Sequence, residues 1–234
     1  MIVTFKSGKQ RLVGDLEKAG KQLIIISHGL SSNRKHLFLT YLARQFNKAG
    51  YSTLRFDYTG RGDSQGDYSD GVITKYVQDL NNAIKLAKKH SKSIGLIGHS
   101  LGAAVSLLCA EEPAVRAVIS LSGVYDPPST IRAYLNSGLI RKIQAIRFGD
   151  NFFKDLLNHD FKSAVRGLSK PLLIVNGDRD NIVTQDQAIQ MYEAANEPKK
   201  LDIIKDCGHN YWKLNQLKQV TNLAIDWFNK YLQP

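Results

Sequence analysis

Two segments of the chain follow the pattern Gly-x-Ser-x-Gly, and they are centred on Ser64 and Ser100. The pattern is typical of a serine nucleophile at a sharp strand-to-helix turn, with a helix N-terminus directed at the hydroxyl. Ser100 has that context, because the apolar run 94–97 precedes it and the apolar run 101–108 follows it. Ser64 lies in a polar, glycine-rich stretch with no helix directly after it. We therefore predict that Ser100 is the nucleophile and that Ser64 is a turn residue.

A serine hydroxyl is a poor nucleophile until a base accepts its proton, and the chain has six histidines. His209 is the candidate base, because it follows the last predicted strand and precedes the C-terminal helix. Side chains in such loops reach over the carboxyl edge of a parallel sheet, where α/β sites form. His99 lies inside the Ser100 motif, and we expect its side chain to point away from the hydroxyl.

The base in turn needs a carboxylate that fixes its tautomer and stabilises the imidazolium. Asp178 and Asp180 both lie in the loop after the predicted strand 172–175, and the residues alone leave both open. Asp206 is predicted to lie too close to the last strand. The developing oxyanion would need two backbone N–H groups, and Leu101, the residue after the nucleophile, should provide one of them.

These residues are separated by alternating strand-like and helical segments. Strand-like apolar runs occupy 23–26, 52–56, 94–97, 115–121, 172–175 and 201–204, and helical spacing covers 37–49, 72–87, 101–110, 184–196 and 212–232. The alternation predicts the α/β class, with a mostly parallel central sheet and helices on both faces. Continuously apolar strands fit a sheet that is buried on both sides. The first twenty residues are predicted to form a hairpin.

One segment, about 124–168, breaks the alternation. It is too long for a plain loop in a compact domain, and it carries helical apolar stripes. We predict a small helical lid insertion within a single domain, 1–234. The aromatic and aliphatic side chains of the insertion could line a pocket or pack the insertion onto the sheet. They are Tyr125, Tyr134, Leu139, Ile143, Phe148, Phe152, Phe153 and Phe161. Its surplus of Lys and Arg over acids disfavours an aminopeptidase site and favours an anionic or phenolic acyl group.

The composition limits the function classes. The chain has 32 Lys and Arg against 21 Asp and Glu, a net charge of +11, but the cations are spread along it, so no nucleic-acid partner is expected. Two cysteines exclude a disulfide scaffold and a four-cysteine zinc site. We expect no metal and no nucleotide cofactor, and we interpret Asp57 and Asp63 as structural. With no signal peptide and no membrane span recognisable, a cytoplasmic location is expected.

Several motifs together resemble the α/β-hydrolase superfamily: the Ser100 motif, His28-Gly29 after a strand, the segment 177–180 and Gly208-His209. The likeness covers about 23–232 and is nearest to the small serine esterases. That group holds cinnamoyl and feruloyl esterases, monoacylglycerol-lipase-like enzymes and serine-aminopeptidase-like hydrolases. The order Ser100, Asp180, His209 is the order of this fold.

The resemblance implies further site residues. It favours Asp180 over Asp178 as the acid, because the family carries the acid three residues after a glycine and three before a valine, here Gly177 and Val183. It also implies that the second oxyanion donor is the backbone N–H of Leu30, which follows His28-Gly29.

The function implied is a serine carboxylesterase that cleaves small-molecule esters of short- to medium-chain acyl or aryl acids through an acyl-enzyme. Two alternatives stay open: an acyl-thioesterase or peptidase of the same fold, and a non-catalytic binding protein on this fold. The sequence also leaves a homodimer open.

Overall fold

A computed structural model describes residues 1–136 and 151–232 of the chain. Eight strands form one sheet in the order β1-β2-β4-β3-β5-β6-β7-β8. Their bounds are β1 (Ile2–Ser7), β2 (Gln10–Glu17), β3 (Leu23–Ser27), β4 (Ser52–Phe56), β5 (Ile94–His99), β6 (Val115–Leu121), β7 (Leu172–Gly177) and β8 (Lys199–Ile204).

The sheet is parallel from β4 to β8, and the hairpin of β1 and β2 joins it antiparallel through β2 and β4. The prediction of a mostly parallel sheet preceded by a hairpin is therefore confirmed. Because the parallel strands share one direction, their carboxyl ends meet at one edge. The loops after β5, β7 and β8, which carry Ser100, Asp180 and His209, all begin at that edge.

The helices follow the predicted alternation. They are α1 (Leu37–Lys48), α2 (Ile73–Ala87), α3 (Leu101–Leu108), α4 (Pro127–Asn136), α5 (Asn151–Asn158), α6 (Phe161–Arg166), α7 (Gln185–Ala194) and α8 (Leu214–Tyr231), with a 3₁₀ turn at Tyr68–Asp70. None of the helices formed by the described residues is long and apolar enough to cross a bilayer.

The last helix begins later than its apolar spacing predicts. Helix α8 starts at Leu214 rather than at position 212, because Lys213 is extended and its backbone N–H donates to Oε1 of Gln216 at 3.2 Å. This side-chain contact supplies a partner for a backbone donor at the helix start. Trp212 consequently lies in the loop between β8 and α8.

Helices cover both faces of the sheet, as the sequence predicts. Alternate residues of β3 divide between two buried clusters, since successive side chains of a strand point to opposite faces. Leu23 and Ile25 pack in the cluster that includes residues of α2 and α3. Ile24 and Ile26 pack in the other, which includes residues of α1 and α8.

The described part of the insertion consists of α4, α5 and α6. Asp155 of α5 accepts hydrogen bonds from the backbone N–H and the hydroxyl of Thr74, at 2.9 and 2.6 Å, and so attaches α5 to the start of α2. Tyr125, Phe152 and Phe161 are buried in the core. Leu139, Ile143 and Phe148 lie outside the described residues.

A buried ion pair anchors the loop between β3 and α1. The Arg34 side chain is 2% exposed and contacts the carboxylate of Asp57, which is fully buried at the end of β4. The Arg34 backbone N–H also donates to Asp57 at 2.7 Å, and its guanidinium donates to Asp63 at 2.7 Å. Both carboxylates thus have structural roles, as the sequence indicates.

Replacement of Arg34 should lower the free energy of unfolding of the chain. Arg34→Met would leave the Asp57 charge buried without its main partner, so we expect a loss of about 3–5 kcal/mol in the free energy of unfolding. Urea denaturation measures this loss. The control is Lys35→Met, since Lys35 is 63% exposed and its ammonium pairs with Asp63, which is itself 50% exposed. Equal stability of the two variants would contradict the anchoring role.

Candidate active site

Ser100 occupies the sharp turn between β5 and α3. Its backbone lies at φ 55° and ψ −120°, a conformation that side chains with a Cβ adopt rarely. Such a residue costs on the order of 1–3 kcal/mol and persists only where its surroundings hold it. Here the Ser100 backbone N–H donates to the carbonyl of Leu121 at the end of β6, at 2.8 Å.

The two glycines of the motif allow the turn to pack closely. A Cβ on Gly98 would lie 2.3 Å from the carbonyl oxygen of Gly102. A Cβ on Gly102 would lie 2.5 Å from the carbonyl oxygen of His28 and 2.6 Å from that of Ser27. The neighbours in both cases are backbone atoms, so the helix α3 can approach β3 and β5 this closely only with glycine at both positions.

The structure brings three of the predicted site residues into direct contact. Nε2 of His209 lies 2.9 Å from Oγ of Ser100, although 109 residues separate them, and Nδ1 of His209 lies 2.8 Å from Oδ2 of Asp180. The other oxygen of Asp180 accepts the backbone N–H groups of Ile182 and Val183, both at 2.9 Å. The carboxylate is therefore fixed in orientation.

The charge of Asp180 follows from its contacts. Burial raises the pKa of its carboxyl, but the hydrogen bond and charge of His209 and the two backbone N–H groups outweigh burial, so the pKa is lowered overall. Asp180 is thus ionised at neutral pH and accepts a proton-bearing Nδ1. His209 Nε2 is then the acceptor for the Ser100 hydroxyl.

The competing candidates lie elsewhere. Asp178 accepts the backbone N–H of Cys207 at 3.1 Å and does not contact His209. The hydroxyl of Ser64 is buried, donates to the carbonyl of Asp57 at 2.7 Å and accepts the N–H of Val13 at 2.9 Å. Cys207 lies two residues before His209, but burial raises the pKa of its thiol to about 11, so at neutral pH it is not a thiolate nucleophile.

Two buried histidines position the loops of the site. His28 donates from Nδ1 to the carbonyl of Gly29 at 2.7 Å, and its Nε2 accepts the N–H of Tyr58 at 3.2 Å. Burial is the main cause that lowers its pKa to about 4, so the imidazole is neutral and can make both bonds. This ring fixes the loop that carries Leu30.

His99 has a role that sequence reasoning missed. Its Nε2 donates to the backbone carbonyl of His209 at 2.8 Å, and the two rings lie 5.0 Å apart. Burial, followed by the nearby His209, lowers the pKa of His99 to about 3, so it is a neutral donor. The residue before the nucleophile thus holds the loop of the candidate base. The sequence predicts that loop between the last strand and the C-terminal helix, but no local pattern indicates its contact with His99.

The two candidate oxyanion donors lie beside Ser100. Leu101 is the first residue of α3, where backbone N–H groups have no partner within the helix. Leu30 lines the same pocket as Ser100, and its carbonyl accepts from Nε of Arg61 at 3.3 Å. Gly29 before it passes so close that a Cβ there would lie 3.3 Å from Cβ of Ser100.

A pocket of about 460 Å³ opens above Ser100. Tyr134 of α4 lines it, and its side chain is hydrogen-bonded to that of Ser100. Trp212 also lines it. The described lining contains no Asp, Glu, Lys or Arg. The cations of the insertion that are described, Arg132, Lys154, Lys162 and Arg166, are therefore not part of this wall, and Arg141, Lys142 and Arg147 lie outside the described residues.

Within the described ranges, no group of three or more His, Cys, Asp or Glu side chains is arranged to hold a metal ion.

The strand order and the turn at Ser100 define an α/β hydrolase, and solved structures share this fold over nearly the whole chain. Est1E from Butyrivibrio proteoclasticus with bound ferulic acid is 22% identical, with a TM-score of 0.82 over 97% of this chain and 98% of its own. The Pyrococcus furiosus esterase Pf2001 is 20% identical, with a TM-score of 0.86 over 100% of this chain and 91% of its own. At these identities the likeness shows the fold alone.

A family model gives the finer assignment. The model described as serine aminopeptidase, S33, matches residues 18–146, more than half of the sequence, and the chain belongs to this family of hydrolases. The lysophosphatidylserine lipase ABHD12 of Danio rerio is 27% identical over 77% of this chain and 49% of its own length. An uncharacterized 31.7 kDa protein of Escherichia coli is 31% identical over 49% of this chain and 41% of its own length. The chain thus spans about half the length of these relatives.

The close packing at the turn can be tested by adding one methyl group. We expect Gly102→Ala to lower the free energy of unfolding by about 1–3 kcal/mol, because its Cβ would meet rigid backbone. The melting temperature reports this. Gly208→Ala is the matched control, since the nearest atom to a Cβ there lies at 3.8 Å. A melting temperature of Gly102→Ala equal to that of the wild type would contradict the packing argument.

Proposed function

We propose that the chain is a serine carboxylesterase, a single catalytic domain that cleaves small-molecule esters of short- to medium-chain acyl or aryl acids. The observation that carries the proposal is the continuous set of contacts from Ser100 Oγ through the His209 imidazole to Asp180. A buried, ionised carboxylate, an oriented imidazole and a turn hydroxyl at the wall of a pocket are the parts that acyl transfer to water requires.

The reaction would proceed in two halves. As Ser100 Oγ attacks the ester carbonyl carbon, its proton passes to Nε2 of His209, and Asp180 stabilises the imidazolium at Nδ1. His209 then returns the proton to the alcohol oxygen, the carbon–oxygen bond breaks, and an acyl-enzyme remains. In the second half, His209 takes a proton from water, whose oxygen attacks the acyl carbon. The bond between the acyl carbon and Ser100 Oγ then breaks, the carboxylic acid leaves, and His209 returns the proton to Oγ.

The carbonyl oxygen carries negative charge in both halves. In the proposed mechanism the backbone N–H groups of Leu30 and Leu101 donate to it. Each such donor contributes roughly 3–4 kcal/mol to transition-state stabilisation, since it is fixed before the charge develops. The neutral His28 supports this assignment, because it holds the Leu30 loop without adding a charge. The insertion 124–168 would act as the lid.

The choice of an ester over a peptide rests on the pocket and on the relatives. A free amino terminus is a cation and calls for an acidic partner, and the described pocket lining has none. Est1E is described with ferulic acid, Pf2001 as an esterase and ABHD12 as a lipase, and these names support ester hydrolysis. An acyl-thioesterase would use the same residues, and matched oxygen and sulfur esters of one acid distinguish the two.

Ser100 is the first residue to test. We expect the wild-type protein to hydrolyse p-nitrophenyl butyrate and to be labelled by a fluorophosphonate, and we expect Ser100→Ala to lower kcat by about 10⁴-fold or more and to abolish labelling. Ser64→Ala is the matched control from the second Gly-x-Ser-x-Gly motif, and it should retain both properties. A folded wild-type protein that neither hydrolyses the ester nor reacts with the probe would favour the non-catalytic binding protein.

A second comparison tests the acid. Asp180→Asn replaces the carboxylate that accepts from Nδ1 with an amide that can present a donor. The His209 proton is then no longer held on Nδ1, and the imidazolium has no carboxylate to stabilise it. We therefore expect kcat to fall by about 10³-fold or more. Asp178→Asn, in the same loop, retains an acceptor for Cys207 and should stay within about threefold of wild type. Steady-state kinetics on both variants decide between the two aspartates.

A further inference from the structure

The mouth of the pocket has an exposed tryptophan that the proposed mechanism does not use. Trp212 is 69% exposed, yet it lines the same pocket as Ser100 and His209. Its ring centroid lies 5.8 Å from that of His36, which also lines the pocket. Large aromatic side chains are usually buried in the protein, and one exposed at a pocket entrance offers a flat apolar surface to a ligand.

The proposed mechanism determines which part of an ester lies near this surface. The alcohol oxygen must be next to Nε2 of His209, because His209 returns the proton to it. The carbonyl oxygen must point the other way, towards the N–H groups of Leu30 and Leu101. Trp212 follows His209 by three residues in the same loop, and Asn210 of that loop also lines the pocket. The alcohol side of the substrate therefore faces the His209–Trp212 loop.

We propose that Trp212 is a specificity-determining residue that forms the wall of the leaving-group subsite, and that this subsite takes an apolar alcohol, above all a planar aromatic one. This inference rests on the proposed esterase function. The described lining supports an uncharged alcohol, since it contains no Asp, Glu, Lys or Arg. The high exposure of Trp212 gives the bound alcohol apolar surface to cover.

This position has a kinetic consequence that distinguishes it from an acyl-binding residue. Once the alcohol has left, the acyl-enzyme contains no atom that Trp212 contacts. A change at Trp212 should therefore alter acylation, and with it kcat/KM, but should leave the hydrolysis of a given acyl-enzyme unchanged. A residue of the acyl subsite would alter both halves, because the acyl group stays through both.

The kinetic experiment compares Trp212→Ala with wild type on phenyl butyrate and ethyl butyrate, which form the same acyl-enzyme. We expect kcat/KM for the phenyl ester to fall about tenfold and that for the ethyl ester to fall less than about twofold, while the deacylation rate after a burst stays the same. Trp212→Phe should restore most of the preference. Leu214→Ala is the control, because Leu214 is an exposed apolar neighbour, 58% exposed, that does not line the pocket.

Equal losses on both butyrates, or a slower deacylation, would overturn the proposal, because both would place the effect of Trp212 on the acyl side or on the fold. A loss for Leu214→Ala equal to that for Trp212→Ala would also overturn it. Retention of the aryl preference by Trp212→Phe but not by Trp212→Ala supports an aromatic wall.

A binding measurement tests the subsite without catalysis. The chain has two tryptophans, and the other one, Trp227, is only 7% exposed, so quenching of fluorescence by acrylamide reports mainly on Trp212. In Ser100→Ala protein, phenyl butyrate should shield the fluorescence from acrylamide more than ethyl butyrate does, and the Ser100→Ala, Trp212→Phe double variant should show no shielding. Absence of shielding would overturn the subsite. If shielding occurs but the wild type hydrolyses no ester, the proposed function fails, and with it the leaving-group role, although Trp212 still binds an aromatic ligand.

Discussion

The site depends on keeping the Ser100 hydroxyl within hydrogen-bond distance of an imidazole that lies 109 residues further along the chain. The parallel sheet meets this constraint because β5, β7 and β8 all end at one edge. His209 nevertheless comes from β8 at the margin of the sheet, three positions from β5 in the strand order. Its loop must therefore cross back over β7, and the bond from His99 to the His209 carbonyl holds it there.

Two uncharged histidines hold the loops around the contact between His209 and Asp180. His28 and His99 are both neutral because burial disfavours the imidazolium, and each donates to a backbone carbonyl of a loop at the site. A protonated His28 would have no lone pair for the N–H of Tyr58. Among the residues that the structure describes, Asp180 is the one ionised side chain in direct contact with His209, and it presents one oriented carboxylate to the imidazole.

Much of this arrangement could be predicted from local patterns, and the remainder depends on contacts between distant segments. Apolar periodicity gave the strands and most helix bounds, and the context of the serine motif selected Ser100 over Ser64. The residues alone could not distinguish Asp178 from Asp180 as the acid, because both lie in one loop and differ in their tertiary contacts. Asp180 contacts His209, whereas Asp178 accepts the backbone N–H of Cys207. The buried contact of Arg34 with Asp57, and the Gln216 contact that leaves Trp212 outside α8, join residues whose pairing no spacing rule predicts.

At Ser100 the residue that carries the reactive hydroxyl is not the residue that would make the backbone of the turn most stable. Glycine would adopt φ 55° and ψ −120° without the Cβ penalty, so the least strained residue for this turn is one that has no hydroxyl to react. The chain therefore gives up roughly 1–3 kcal/mol at Ser100, a noticeable part of the about 5–15 kcal/mol that separates a typical folded domain from its unfolded state. Screens that select only for heat resistance should accordingly enrich inactive glycine variants at this turn.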